Sequence, residues 1–199
     1  MTSDGLQLSP GLIEGQQIEL ALDRLAYPGF HVNDYDDLRI PFRAIATNIE
    51  NGDPFIIKSG NIARAMRASM SIPGALPPIT IDNTLLIDGG IANNIPINIA
   101  REMGADIVIV VDVSAPLADK QDIKSSVDIT GQLSTILTRR LANNQLKTLK
   151  DNDVLIVPGA KEISSSDFDK FPELIIEGER AATENLGFIR PLSLSLIHI

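Results

Sequence analysis

The chain has 199 residues, is 44% hydrophobic, carries a formal net charge of −9 and contains no cysteine. This length suits one domain or slightly more. The acidic balance argues against a nucleic-acid partner, because neutralising phosphates requires clustered Lys and Arg. The lack of cysteine excludes disulfides, a thiol nucleophile and a cysteine metal site. With only His31 and His198 and no calcium-loop spacing, we predict neither a metal nor a cofactor.

No apolar run approaches the roughly 18 to 20 residues that span a bilayer. The longest run, at residues 107–111, predicts a buried strand instead. The N-terminal segment lacks the basic region and apolar core of a signal peptide. Composition alone therefore indicates a cytoplasmic protein, an inference that does not hold if the chain is a fragment.

Helical and hairpin patterns alternate along the chain. Ser9-Pro10 is a helix-start signal, and the helix should extend to about Leu25. A polar, irregular stretch at 31–41 precedes a β-hairpin at 42–60 around Asn-Gly-Asp-Pro. The later predicted elements are a helix at 61–70, a hairpin at 78–87, a helix at 96–103, a continuous buried strand at 105–113, a long amphipathic helix at 122–150, a strand at 153–158 and a final helix at 168–186. This alternation favours an α/β layered fold.

An apolar strand at 84–87 leads directly into Asp88, Gly89 and Gly90. Asp-Gly is a common turn dipeptide, because Gly accepts positive φ and Asp bonds nearby amides. The position at a strand end, however, is one where α/β proteins place ligand sites. Two glycines also leave room for another group to approach closely. Both interpretations of Asp88, turn residue and catalytic carboxylate, remain open on the residues alone.

The stretch 64–114, RAMRASMSIPGALPPITIDNTLLIDGGIANNIPINIAREMGADIVIVVDVS, resembles the second half of the patatin-like phospholipases. The family elements are an Arg-Ala-Ser-x-Ser-x-Pro block at Arg67 to Pro73, an Asp-Gly-Gly (or Asp-Gly-Ala) motif at Asp88 to Gly90, an Asn-x-Pro helix start at Asn94 to Pro96, and a Gly-Ala-Asp turn and strand at Gly104 to Asp112. The resemblance is strongest over 40–113 and extends more loosely over 10–187. The helix at 131–140 and the tail resemble the subgroup whose patatin domain is the passenger of a bacterial outer-membrane barrel protein.

This resemblance implies a three-layer α/β/α fold and acyl-ester hydrolysis by a Ser-Asp dyad. Asp88 would accept the serine proton directly, with Gly89 and Gly90 completing its motif, and the shortage of histidine suits a dyad. The substrate would be a phospholipid or another acyl-ester lipid, with a membrane surface as a possible contact and no nucleic acid. By the passenger resemblance, the protein would lie at the outer membrane or cell surface of a Gram-negative bacterium.

The nucleophile that such a dyad needs is missing from the sequence. The family places it in a Gly-x-Ser-x-Gly elbow, whereas the one pair of glycines with this spacing, Gly11 and Gly15, encloses Ile13. No Gly-x-Gly occurs for an oxyanion loop. A nucleotide-binding α/β domain is disfavoured, because the Rossmann fingerprint and the P-loop are both absent. A patatin-like remnant that binds lipid or a partner without catalysis remains the alternative.

Several other polar residues near the motif have structural interpretations that outweigh functional ones. Ser69 and Ser71 should cap backbone groups rather than act as nucleophiles. Arg64 and Arg67 should form ion pairs rather than line a site. The remaining candidates are Asp112, expected in a turn, and Asn93 and Asn94, expected to satisfy turn and helix-start amides.

The chain ends suggest a fragment. Residues 194–199, LSLIHI, resemble the translation of the mosaic-end sequence of transposon-based sequencing adaptors. We therefore expect residues 1–190 to be a truncated patatin-like domain without its N-terminal strand, oxyanion loop and nucleophile elbow. Residues 191–199 would be a non-native tail, and the serine would lie upstream of Met1. Such a fragment should expose apolar faces of the strand at 105–113.

Overall fold

A computed structural model describes residues 15–159 and 170–195. The elements of this part, in chain order, are α1 (Gln16–Ala26), β1 (Ala44–Asn48), β2 (Pro54–Ile57), α2 (Ile62–Ser69), β3 (Ile79–Ile81), β4 (Thr84–Asp88), α3 (Gly90–Asn93), α4 (Ile97–Glu102), β5 (Ile109–Val111), α5 (Ser126–Leu146), β6 (Val154–Ile156), α6 (Phe171–Glu184) and α7 (Leu186–Ser195). The chain divides into two compact units, Met1–Asn94 and Ile95–Ile199. None of the described helices has the length and apolarity needed to cross a bilayer.

The first unit is built on a four-stranded antiparallel sheet in the order β2-β1-β4-β3. Both predicted hairpins are confirmed, and β1 and β4 join them at the centre of the sheet. The turn between β3 and β4 has Asp82 and Asn83 at φ 48° and 60°, as a two-residue hairpin loop of type I′ requires. This register sets Asp88, the last residue of β4, opposite Ala46.

Helix α2 packs on the sheet through small side chains. Ala65 and Ala68 belong to one buried cluster with Ala44 and Ala46 of β1, and alanine at these four positions lets helix and strand approach closely. Asn61 caps the helix by accepting a hydrogen bond from the Arg64 N–H at 2.8 Å. The C-terminal turn of α2 consequently lies beside the end of β4.

The segment 31–41, expected to be irregular and polar, also contributes one residue to the hydrophobic core. Tyr35 is fully buried, in a short 3₁₀ turn that begins after Asp34. The Asp34 carboxylate accepts the Asp36 N–H at 3.0 Å and fixes this turn. A single aromatic residue among charged neighbours gives no periodic signal, so the sequence did not indicate its burial.

The second unit has helices on both faces of the parallel pair β5–β6. Val108 and Val110 pack with Ile97 and with Ala142 of α5. Val154 and Ile156 pack instead with Ala181 of α6 and with Ile189 of α7. Because Ile109 pairs with Val154 and paired residues share a face, the two helical groups lie on opposite sides of the pair. This is the predicted α/β/α layering.

Two polar contacts support this unit. A capping box starts α5, with the Ser125 N–H donating to the Asp128 carboxylate at 2.7 Å and the Asp128 N–H donating to Ser125 Oγ at 3.2 Å. The buried carboxylate of Asp153 accepts from Arg101 at 2.6 Å and from the Val108 N–H at 2.8 Å. The second contact ties α4 and the start of β5 to the start of β6.

The prediction of a continuous buried strand at 105–113 is wrong. Val110 is 6% exposed, whereas Ile109 and Val111 are 45% and 54% exposed. The strand covers only three residues, and Ile109 and Val111 are exposed because the described helices that pack on β5 cover the face of Val110. The expected exposure of apolar groups in this segment is present at Ile109, Val111 and Val113.

Lysine substitutions at two neighbouring residues of β5 should distinguish its buried face from its exposed face. We expect Val111→Lys to fold and to aggregate less than the wild type, because a charge on an exposed apolar strand blocks edge-to-edge association. Val110→Lys should destabilise the fold by about 3 kcal/mol or more, because it buries an unpaired charge. Light scattering and urea unfolding of the two variants would measure this difference, and equal behaviour would contradict the assigned faces.

Candidate active site

Asp88 is held where β4 leaves the sheet. Its N–H donates to the carbonyl of Ser71 at 2.9 Å, and its carbonyl accepts from the Thr47 hydroxyl at 2.7 Å. The first bond comes from the turn after α2 and the second from β1. The backbone of the candidate base is therefore fixed by two elements other than its own strand.

The Asp88 carboxylate accepts one hydrogen bond from the described residues. Oδ1 accepts the Gly90 N–H at 2.8 Å, and no hydrogen bond from the described residues reaches Oδ2. Burial raises the pKa of Asp88, and the Gly90 N–H opposes this to a smaller extent. The group is thus a stronger base than an ordinary aspartate, with one oxygen available to accept a proton.

Gly89 occupies a position that no side chain could share. A Cβ built on it would lie 2.0 Å from the carbonyl oxygen of Ile45 and 3.2 Å from the Ala46 nitrogen. These are backbone atoms of β1, so they cannot rotate away. The chain crosses β1 at this point, and glycine is required by the close approach rather than by a positive φ.

Gly90 is under a weaker restriction. A Cβ there would lie 2.9 Å from Asp88 Oδ1 and 2.9 Å from Asn94 Oδ1. Both are side-chain atoms rather than backbone atoms, so a shift is less costly than at Gly89. This difference is consistent with the expected Asp-Gly-Gly or Asp-Gly-Ala motif, in which only the third residue varies.

The sequence did not indicate the role of Thr47, which is 1% exposed. Its hydroxyl donates to the Asp88 carbonyl and accepts the Ala92 N–H at 3.2 Å. One side chain thus joins the end of β4 to the short helix α3. Threonine is common in strands, and only the pairing of β1 with β4 brings Thr47 next to the motif.

The serine and arginine predictions have different outcomes. Ser71 is fully buried and its hydroxyl donates to the Arg67 carbonyl at 2.9 Å, so its capping role is confirmed. Arg64 forms an ion pair with Glu19 at 3.8 Å, as expected. For Arg67 the expected ion pair is wrong, because no described carboxylate lies within 4.0 Å of its guanidinium. Its hydrogen-bond acceptors among the described residues are the neutral Ser71 hydroxyl and Pro77 carbonyl, which the sequence alone does not disclose.

The other candidates lie as follows. Asp112 accepts the Ser114 N–H at 2.9 Å, which confirms its turn role. Asn93 is buried in α3 and Asn94 follows it directly, and their amide-capping role stays a prediction. Ser69 contributes its carbonyl, which accepts the Gly89 N–H at 3.2 Å. No cluster of three potential metal ligands occurs among the described residues.

A polar cavity of about 410 Å³ reaches the turn between β3 and β4, and Asp88 is not part of its lining. Its lining includes Asn33, Asn61, Arg64, Thr80 and Asp82. The hairpin turn at Asp82 and the motif at Asp88 are separated by the whole of β4. This cavity is therefore distinct from the candidate site.

Comparison with known proteins agrees with the motif. Residues 3–101 match the family model of patatin-like phospholipases, and the matched range includes both the Arg67 to Pro73 block and Asp88. Together with the relatives described next, this match supports membership of the patatin-like phospholipase family, a family of lipid hydrolases.

The chain is similar to patatin-like phospholipase domain-containing protein 7 of Mus musculus, at 31% identity over 173 residues, covering 73% of this chain and 12% of the relative. It is 29% identical over 182 residues to patatin-like phospholipase domain-containing protein 6 of Homo sapiens, covering 77% of this chain and 13% of the relative. Lysophospholipase NTE1 of Cryptococcus neoformans is 40% identical over 93 residues, which is 47% of this chain and 6% of that protein. The chain thus spans about an eighth of the first two relatives. All three are eukaryotic, so the resemblance to bacterial passenger domains stays a prediction.

Alanine at the two glycines should have unequal effects. Gly89→Ala is expected to cost about 3 kcal/mol or more of unfolding free energy, because its Cβ would collide with the β1 backbone. Gly90→Ala is expected to cost about 1 kcal/mol or less, because the contacted atoms belong to side chains rather than to the backbone. Urea unfolding of both variants would measure this, and equal losses would contradict the crossing at Gly89.

The raised pKa of Asp88 has a consequence for stability. The folded state holds the Asp88 proton more tightly than the unfolded chain does, so the free energy of unfolding falls as pH rises through the folded pKa. We therefore expect Asp88→Asn to be more stable than the wild type at pH 7. The difference should shrink below the ordinary aspartate pKa of about 3.9. Urea unfolding at both pH values provides the measurement, and a less stable Asp88→Asn at pH 7 would argue against burial of the charged form.

Proposed function

We propose that this chain is part of a serine lipid acyl hydrolase in which Asp88 is the proton acceptor. The observation that carries the proposal is the partly buried Asp88 carboxylate, held at the end of β4 with Oδ2 unbonded by the described residues. It lies within the residue range that matches the family model. The proposed substrate is the acyl ester of a phospholipid or a related lipid.

The proposed chemistry needs no histidine. Asp88 Oδ2 takes the serine hydroxyl proton as the serine oxygen bonds to the ester carbonyl carbon. The protonated carboxyl then gives that proton to the leaving alkoxide as the acyl–oxygen bond breaks. Water repeats the two steps on the acyl-enzyme and releases the fatty acid. An ordinary aspartate, with a pKa of about 3.9, is a weak base for this role, so the raised pKa of Asp88 favours it.

The nucleophile is proposed to lie outside these 199 residues. The sequence contains no Gly-x-Ser-x-Gly and no Gly-x-Gly, and Ser71 is fully buried with its hydroxyl engaged by Arg67. We therefore expect the 199-residue chain to be inactive by itself. The elbow serine and the oxyanion donors would come from further sequence of a longer protein.

The test begins with a long sequencing read across the locus, followed by expression of the whole reading frame. If that frame contains a Gly-x-Ser-x-Gly elbow, Asp88→Asn should lower kcat/KM on phosphatidylcholine or p-nitrophenyl butyrate by about 10²- to 10⁴-fold. Asp112→Asn, which alters a turn carboxylate, is the matched control and should retain most activity. Undiminished turnover by Asp88→Asn would overturn the proposal. The rate should also fall with acidity at a higher pH than an ordinary aspartate would give.

The missing elbow also supports a second candidate, a patatin-like remnant that binds lipid or a partner without catalysis. A stop codon and promoter directly before Met1 in the same sequencing read would favour it. Sedimentation of the 199-residue chain with phosphatidylcholine vesicles would then test binding. If the 199-residue chain hydrolyses an ester and Asp88→Asn abolishes this activity, the non-catalytic remnant is excluded.

A further inference from the structure

Arg67 is a buried cation whose hydrogen-bond acceptors among the described residues are all neutral groups. It is 2% exposed, and no carboxylate of the described residues forms a salt bridge with it. Burial lowers its pKa, and the nearby Glu19 opposes this only in part. Burying a charge in this way is costly unless its hydrogen-bond donors are satisfied. The groups that accept hydrogen bonds from Arg67 therefore indicate which part of the structure this residue stabilises.

The guanidinium of Arg67 closes the turn that follows α2. One terminal nitrogen donates to Ser71 Oγ at 2.7 Å and the other to the carbonyl of Pro77 at 3.1 Å. The Ser71 hydroxyl in turn donates to the carbonyl of Arg67 itself at 2.9 Å. Ser71 is thus bonded to both the side chain and the backbone of the same arginine, which leaves the turn little freedom.

The same turn carries the two carbonyls that hold the catalytic motif. Ser71 O accepts the Asp88 N–H at 2.9 Å, and Ser69 O accepts the Gly89 N–H at 3.2 Å. Neither bond belongs to the β1–β4 ladder. The position of the Asp88 and Gly89 backbone consequently depends on the conformation of residues 69–71.

We propose that Arg67 and Ser71 form a positioning clamp, acting through the turn at 69–71, that fixes the Asp88–Gly89 backbone and so aims the Asp88 carboxylate. Its catalytic meaning rests on the proposed role of Asp88. The clamp acts through hydrogen bonds rather than through charge, because burial and the Gly90 N–H are the influences on the Asp88 carboxyl. The two diverging bonds need the planar fork of arginine, which lysine lacks.

The proposal is tested by NMR on the labelled 199-residue chain, which needs no turnover. Ser71→Ala and Arg67→Lys should accelerate hydrogen exchange of the Asp88 and Gly89 amides by about tenfold or more relative to the Ala46 amide in β1. Both should also move the titration midpoint of the Asp88 carboxyl ¹³C signal. Arg64→Lys, an exposed arginine in the same helix, is the control and should change neither.

The outcomes distinguish a local effect of Arg67 and Ser71 on the Asp88–Gly89 backbone from an effect on overall stability. Unchanged exchange and titration in both clamp variants would overturn the proposal. So would equal acceleration of the Asp88, Gly89 and Ala46 amides, since this would show a loss of overall stability only. If Arg67→Lys shows wild-type amide exchange and wild-type Asp88 titration, the planar guanidinium of Arg67 is not required. If Asp88→Asn leaves the full-length protein active, the proposed function fails while these NMR results still decide on the clamp.

Discussion

The close crossing of Gly89 over β1 is the constraint on which the candidate site depends. With the Ile45 carbonyl 2.0 Å from where a Cβ would stand, the two backbones meet without any side chain between them. The chain can leave β4 at this angle only because residue 89 is glycine. That angle brings the Gly90 N–H to the Asp88 carboxylate and starts α3 immediately behind it.

The surroundings of Asp88 show how a buried carboxylate can stay basic. A salt bridge would stabilise the charged form and lower its pKa, so a paired aspartate would be a poorer proton acceptor. The bonds around Asp88 instead hold mainly its backbone, through Thr47 and Ser71. Arg67, the buried cation nearest in sequence, is engaged by the neutral groups of Ser71 and Pro77. The position of the base is thus fixed without neutralising its charge.

Local patterns predicted much of this structure, and distant contacts account for what they missed. The two hairpins, α2, α4 and the Asp88 motif each depend on residues close together in sequence. Thr47 is 41 residues from Asp88, and its role appears only when β1 and β4 pair. The burial of Tyr35 and the neutral acceptors of Arg67 among the described residues likewise depend on packing that composition and periodicity do not encode. The two faces of β5 differ because α4 and α5 cover the face of Val110, whereas the helices on the other side of the pair pack on β6 and leave Ile109 and Val111 exposed.

The contacts that set the candidate base are contained within one compact unit. Among the described residues, the groups bonded to the Asp88 backbone and carboxylate come from β1, the turn after α2 and Gly90, all within Met1–Asn94. The same span holds Gly89 and the Arg67–Ser71 pair. Since these bonds join residues of one compact unit, the conformation of the turn at Asp88 is set within Met1–Asn94. In the proposed reaction, direct proton transfer to Asp88 would depend on such a fixed geometry, because a weak base compensates for its pKa by its position.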